Sequence, residues 1–368
     1  MHVSPFIYSG ATMTLGPLHQ LDPVRFETAP ILKKLVKSSR KLAELKSMAR
    51  TIPNQGILIN TLGLQEAKDS SEIENIVTTH DALFKGEALE RVYSDPATKE
   101  VLRYRQALRT GFEEVRKTRL ITNRQILKIQ EALEQNDAGF RQLPGTDLQT
   151  DTGRVVYTPP QDNNEIIRLM GDLERFINDD ALFNVDPLIK MALIHHQFES
   201  IHPFYDGNGR TGRIINVLYL VKAELLDIPL LYLSNYIVRN KGEYYRLLQA
   251  VRDDEAWEEW VMYMLDAVEQ TAEQAIKMIQ AISLAQMDYK QRIRNQFRFY
   301  SQDLINSLFQ HPYTKIAFLE RDLQVSRLTA TKYLDDLAEA GFVEKVKAGR
   351  SNYYVNLALI RVIKEDKR

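Results

Sequence analysis

Residues 202 to 213, reading HPFYDGNGRTGR, place one imidazole, one carboxylate and two guanidiniums around a Gly-Asn-Gly turn. Gly207 and Gly209 permit backbone conformations closed to other residues, so the N–H groups around Asn208 can converge into an anion-binding concavity where the helix carrying Arg210 begins. The helix dipole and its unpaired first-turn donors add to that attraction. Arg210 and Arg213 lie three residues apart and project from one helical face. A polyphosphate is the guest such a site calls for. Asp206 would repel it unless a Mg²⁺ ion bridged carboxylate and phosphate oxygens, so a divalent metal is implied. His202, four residues ahead of that carboxylate, carries the side chain best suited to take a proton near neutral pH and activate an incoming hydroxyl. Taken alone, Gly-Asn-Gly also reads as a turn capping a helix.

The full string resembles the signature of the Fic (filamentation induced by cAMP) family, H-P-F-x-[DE]-G-N-G-R-x-x-R, and agrees with it at every specified position. The resemblance implies an ATP-using protein adenylyltransferase, an AMPylator. His202 would deprotonate a Ser, Thr or Tyr hydroxyl of a target protein or of the enzyme itself. That hydroxyl would attack the α-phosphorus of ATP and expel Mg-pyrophosphate. Asp206 would hold Mg²⁺ between the α- and β-phosphates. Gly207, Asn208 and Gly209 would cradle the phosphates, with Arg210 and Arg213 reaching toward the β- and γ-phosphates and Phe204 anchoring the loop. Some members remove AMP or transfer other phosphate-containing groups, so de-AMPylation is an alternative. The intact Gly-Asn-Gly-Arg favours AMP transfer.

Three further segments carry the resemblance. Val155, Val156 and Tyr157, in the run VVYTPP, look like the family's flap, which lies over the nucleotide and pairs with the target backbone as an added strand. A plain connector is the other reading. Tyr244 and Tyr245 match a tyrosine pair lining the adenosine side, although adjacent tyrosines also serve as core. Arg252 stands a further turn along, where family members can carry Asn. Finally, Ser70-Ser71-Glu72-Ile73-Glu74-Asn75 resembles the inhibitory motif [ST]-x-x-x-E-[GN], about 130 residues before the signature. Helical spacing puts Ser70 and Glu74 on one face, and the resemblance implies that Glu74 reaches Arg213 and restrains the enzyme. Otherwise Glu74 is an exposed helical residue.

The elements that must position these groups are mostly helical. Residues 1 to about 30 carry scattered Pro and Gly and read as an extended arm, either laid on the body or left mobile. Periodicity from Ile31 predicts a helix ended by Pro53-Asn54, followed by helices over Leu64–Val77, Pro96–Val115, Thr122–Leu133, Glu165–Ile177, Pro187–Ser200 and Arg210–Ala223. Gly145–Pro160 predicts a short hairpin. A long helical stretch over Lys241–Ser283 contains both tryptophans, and the character changes near Phe297–Asp303. Beyond that point Lys315–Arg321 and Thr329–Ala340 read as helices around a turn at Leu323–Ser326. Two strand-like runs, FVEKVK and NYYVNL, follow around Ala348-Gly349-Arg350. Helix, turn, helix and wing outline a winged helix. The expected fold is therefore mainly α: a Fic-type helical bundle with a β-hairpin flap, plus a C-terminal winged helix-turn-helix domain. The division is 1–110 for the N-terminal helical region with the inhibitory helix, 111–297 for the catalytic domain and 298–368 for the winged helix.

Composition sets the outer bounds. A formal net charge of -1, from 48 basic and 49 acidic side chains, gives no global pull toward nucleic acid or membrane. Zero cysteines rule out disulfides, thiolate metal sites and a cysteine nucleophile, and fit a reducing cytoplasm. No long uncharged apolar run occurs, and MHVSPFIYSGATM lacks the basic start and apolar core of a secretory signal. The expected partners are ATP and a hydroxyl-bearing protein in the cytoplasm. The segment Tyr313 to Arg368 has 11 Lys and Arg against 8 Asp and Glu, a balance of +3. Arg327, Thr329, Thr331 and Lys332 are its candidate DNA-facing residues, and a protein or homodimer contact is the alternative use of the wing. A nucleotide-sensing DNA-binding regulator is accordingly the competing function. His195 and His196 precede the motif without H-E-x-x-H spacing, so they read as core. Neither a nucleophile elbow nor a P-loop is present.

Overall fold

The computed structural model describes residues 6–9, 12–80, 82–83, 86, 95–150, 152–348 and 351–365. Two central helices, α6 (Pro187–Ile201) and α7 (Asn208–Lys222), are apolar on nearly every side and are buried on nearly every side. The signature forms the loop between them and the first turn of α7. Around this pair lie α1 (Ala29–Ala49), α2 (Gln55–Ile73), α3 (Pro96–Thr118), α4 (Asn123–Glu134), α5 (Asn163–Asn178), α8 (Ser234–Arg239), α9 (Lys241–Asp254) and α10 (Trp257–Gln296). Local chemistry sets most of the ends. Thr28, Asp95, Asp162 and Asp186 cap their helices through side-chain oxygens, and Thr122 with Gln125 forms a complete capping box.

Several expectations are corrected. The inhibitory segment is not a helix over 64–77. Asn54 accepts the Gly56 N–H at 2.9 Å and starts α2 nine residues earlier than Leu64, and the helix stops at Ile73. Glu74 is its C-cap, and Asn75 turns left-handed with φ 63°. The Ile76 N–H reaches the Ser71 carbonyl and the Asn75 N–H reaches Glu72, each at 3.0 Å, which is a Schellman closure. The stretch after Lys241 is two helices, because Glu255 at φ 54° closes α9 and α10 then continues to Gln296. The first 30 residues hold a hairpin, β1 (Phe6–Ser9) with β2 (Thr12–Leu15), and two short 3₁₀ turns that bury Leu18 and Phe26.

The C-terminal unit has α11 (Gln302–Gln310), β5 (Tyr313–Thr314), α12 (Ile316–Leu323), α13 (Arg327–Glu339), β6 (Val343–Ala348), β7 (Ser351–Asn356) and α14 (Leu357–Glu365). Its sheet runs β5-β7-β6, antiparallel throughout, so the helix-turn-helix-wing outline is present with an added strand and a closing helix. Gly349 and Arg350 of the expected wing turn lie outside the described residues. Contacts run across the change of character near Phe297. Tyr289 of α10 donates to the Phe342 carbonyl at 2.6 Å, and Asn54 and Asn60 donate to Gln310 at 3.1 and 3.3 Å. The expected division at residue 110 falls inside α3. Among the described residues no helix is long and apolar enough to cross a membrane.

One close approach holds the frame of the site together. A side chain at Gly111 of α3 would place its Cβ 2.5 Å from Leu218 of α7 and 2.8 Å from Ile129 of α4. Gly111→Val is therefore expected to lower stability by about 1–3 kcal/mol through overpacking, despite the better helix propensity of valine. Urea unfolding of the full chain checks this; unchanged stability would mean that α3 can shift off α7.

Candidate active site

His202 closes α6 in the left-handed region, at φ 49° and ψ 59°, with its N–H on the Phe198 carbonyl at 3.0 Å. A non-glycine residue held there marks a position fixed by its surroundings. The imidazole is held down at about 4, first by burial and then by the Arg252 and Arg141 guanidiniums. It is thus neutral near pH 7, with a lone pair for an incoming proton. Its Nδ1 is buried and meets no hydrogen-bond partner among the described residues.

The loop that follows is internally tied. Phe204 is fully buried against Phe140 and Phe198, as expected of an anchor. Asn208 is buried and clasps Phe204 from both sides, its Oδ1 accepting the Phe204 N–H and its Nδ2 donating to the Phe204 carbonyl, each at 2.8 Å. Its side chain therefore closes the loop and leaves anion binding to backbone. Gly207 has φ 77°, and a Cβ there would meet the Glu134 carboxylate. Gly209, by contrast, sits in ordinary helical backbone and is glycine for space: a Cβ there would lie 2.5 Å from Glu74 Oε1 and 2.9 Å from Arg213 Nη1. No side chain caps α7, so its first-turn N–H groups open onto the loop. Asp206 is largely exposed, with its Oδ1 taking the Gly207 N–H at 2.7 Å. Among the described residues no cluster of three His, Cys, Asp or Glu side chains could hold a metal by itself. A single accessible carboxylate suits a Mg²⁺ ion that takes its other ligands from phosphates and water.

Arg210 and Arg213 are both buried, and Glu74 is shared between them. Arg213 donates from Nη2 to Glu74 Oε1 at 2.7 Å and to the Ser70 carbonyl at 2.9 Å, and from Nε to Ser70 Oγ at 2.8 Å. Arg210 Nε reaches Glu74 Oε2 at 3.2 Å. The pairing of Glu74 with Arg213 was expected; its second contact was not. Glu100 at 3.2 Å and Glu134 at 3.0 Å also face Arg210, two acids 110 and 76 residues away with no sequence signal to announce them. Desolvation raises the Glu134 carboxyl, with Arg210 acting against it.

The segment expected to form the flap is a hairpin, β3 (Leu148–Gln149) paired with β4 (Val155–Tyr157). Val155 and Val156 are exposed, while Tyr157 turns inward and donates to the Ser200 carbonyl at 2.9 Å. Tyr244 and Tyr245 part company. Tyr244 is buried with its hydroxyl 2.8 Å from His195 Nε2, and only Tyr245 presents a largely open ring. His195 and His196 are core residues, the first held near 3 by burial. Arg252 is buried beneath Tyr157. Arg141, which sequence reasoning missed, bonds the Pro160 carbonyl and donates to the His202 carbonyl at 2.8 Å, joining flap to motif. In the C-terminal unit Thr329 and Thr331 bond within their own helix turn and Lys332 pairs with Asp336 at 3.1 Å, while Arg327 and the 85%-exposed Leu328 are open at the start of α13.

His202 is expected to titrate near pH 4, well below the usual value of about 6.5. Because Arg252 opposes the charged form, Arg252→Met moves the midpoint upward. NMR of ¹³C-labelled histidine, assigned with His202→Asn, reads this directly; a midpoint near 6.5 in the parent chain would contradict the burial and charge arrangement.

Family profiles agree with this geometry. The Fic/DOC family N-terminal profile matches residues 32–113, the Fic/DOC family profile 120–220, and the C-terminal domain of SoFic-like protein adenylyltransferases 285–359. Protein adenylyltransferase fic-1 of Caenorhabditis elegans is 28% identical over 100 residues, covering 27% of this chain and 18% of that protein. The matched part is thus a small fraction of that relative's length. Among solved structures, a Fic family protein from Desulfovibrio desulfuricans G20 superposes with a TM-score of 0.58 at 22% identity, over 89% of this chain and 96% of the other. A fragment of C. elegans Fic-1 gives 0.52 at 20% identity, over 69% and 75%. Signature, fold and profile agree, and the chain belongs to the Fic family.

Proposed function

We propose that the protein is an adenylyltransferase that moves AMP from ATP to a hydroxyl of a protein, its own chain included, and that Glu74 restrains it. The observation that carries this reading is the neutral His202 beside an uncapped helix start whose two buried arginines share one removable carboxylate.

The hydroxyl loses its proton to the imidazole of His202 as its oxygen attacks the α-phosphorus. The bond from that phosphorus to the bridging oxygen breaks, and pyrophosphate departs. The first-turn amides of α7 receive phosphate oxygens, and Arg210 and Arg213 face the negative tail. Asp206 would hold Mg²⁺ carried by the nucleotide, which lowers charge on the leaving group. While Glu74 is docked, Arg213 is occupied and the carboxylate repels the γ-phosphate. The adenylyltransferase relative and the SoFic-like C-terminal match support the reaction class.

His202→Ala is expected to cut AMP transfer by about 10²- to 10⁴-fold while ATP still binds. Asp206→Asn should weaken the Mg²⁺ dependence and the rate together. Both are read with α-labelled ATP on the full chain, and undiminished transfer in the His202 variant would overturn its role.

Glu74→Ala should raise transfer by about 10- to 150-fold, the worth of a charge-assisted contact of roughly 1.5–3 kcal/mol. Arg213→Ala should not activate, since the productive contact goes with the inhibitory one. Asn75→Val, which opposes the left-handed turn by about 1–2 kcal/mol, should activate less, and Asn75→Gly should leave inhibition in place. Equal rates in wild type and Glu74→Ala would make Glu74 a surface residue without regulatory effect.

A further inference from the structure

Arg252 lies far along α9 from the signature, yet its guanidinium carbon sits 4.0 Å from the centre of the Tyr157 ring. Its Nε donates to Ser200 Oγ at 3.1 Å, its Nη2 to the Glu199 carbonyl at 3.4 Å and its Nη1 to Gln249 at 3.4 Å. Tyr157 donates from its hydroxyl to the Ser200 carbonyl at 2.9 Å. Ser200 is two residues from His202 on the same last turn of α6. The side chain is 5% exposed and its donors point to protein, so it is not laid out as a phosphate ligand.

We propose that Arg252 is a positioning residue: by stacking on Tyr157 it fixes the register between the exposed flap strand β4 and His202, and so acts on the protein acceptor and not on ATP. The inference rests on the adenylyl-transfer reading above. An acceptor segment added beside Val155 and Val156 takes its register from β4. One residue of slip moves the acceptor by about 3.3 Å and turns its side chain to the other face, which removes the hydroxyl from reach of the base. Tyr157 is the inward-facing residue of that strand, and the guanidinium together with Ser200 is what it rests on. Arg141 holds the next segment through the Pro160 carbonyl, so the flap has two clamps on the end of α6. Arg141 fastens backbone to backbone. Arg252, with the Ser200 carbonyl, holds a side chain of the strand.

The test is a double-mutant cycle in the full chain carrying Glu74→Ala, with Arg252→Met, Tyr157→Leu and both together; Arg252→Lys keeps the charge and removes the flat face. Three quantities are read: amide hydrogen exchange over residues 148–158, calorimetric affinity for Mg-ATP, and AMP incorporation into the enzyme itself. Loss of a desolvated stack should speed exchange at Val155–Tyr157 and slow self-modification by about tenfold each, with Mg-ATP affinity held within about twofold. The double variant should lose no more than the worse single one. Additive losses, unchanged exchange, or weakened Mg-ATP binding in step with the rate would overturn the proposal. Arg252→Lys guards against a folding artefact, because it should show the same exchange change at an unaltered melting temperature. Should the Glu74→Ala parent transfer no AMP, the functional reading fails, while the exchange cycle still decides whether Arg252 holds Tyr157.

Discussion

Two guanidiniums buried side by side need negative charge, and this requirement organises the molecule around Glu74. A buried cation without a partner costs several kcal/mol, so Arg210 and Arg213 cannot face an apolar wall. Glu74 meets both, and Ser70 supplies Arg213 with a hydroxyl and a carbonyl from the same helix. The consequences spread through the backbone. Gly209 must lack a Cβ because the carboxylate and Arg213 lie where it would be. Asn75 must turn left-handed so that the chain ends at the right height to present Glu74. In the function proposed above, a triphosphate would offer the same arginines the same counter-charge.

The helix that carries Glu74 is not built to swing away. Apart from Ile57, Leu58, Leu62 and Leu64, it buries Glu66, Lys68, Asp69, Ser70 and Ser71. Glu66 takes hydrogen bonds from Tyr104 at 2.9 Å and Ser234 Oγ at 2.5 Å, and burial pushes its carboxyl up to about 7. Undocking α2 would break this network and uncover the helix's apolar face, a far larger cost than rotating one side chain. Any release of Glu74 is therefore local, confined to the Schellman turn where a few hydrogen bonds hold the residue in place.

Helix α10 links the bundle to the C-terminal unit. Its first half lies against α1, where Lys34 pairs with Glu269 at 2.5 Å, and its last turns carry Tyr289 into the unit's core beside Phe309 and Phe342. With α11 also touching α2 through Gln310, the C-terminal unit is in direct contact with the helix that presents Glu74. The route from one to the other is short: Gln310, Asn54 and Asn60, then the body of α2.

The sequence by itself determined the family signature and the helical character. His202, Asp206, the glycines and the arginines were legible because the signature holds those types at that spacing, and the hydrogen bonds between Asn208 and Phe204 close the loop. Ser70, Glu74 and Asn75 were legible for the same reason, as was the flap between its glycine and prolines. What tertiary structure decided was everything that depends on which surfaces meet. Glu100, Glu134 and Arg141 reach the site from separate helices and loops, so no local pattern points to them. Tyr244 and Tyr245 look equivalent in sequence, but a helix sends neighbouring side chains in different directions, one into the His195 core and one to solvent. Helix ends shifted where a capping side chain or a left-handed residue outweighed hydrophobic spacing, at Asn54, Asn75 and Glu255. Arg252 stood in the sequence only as a departure from the family's Asn, and its place beneath Tyr157 was not legible because its partners, Tyr157 and Ser200, are 95 and 52 residues away and only folding brings them to it.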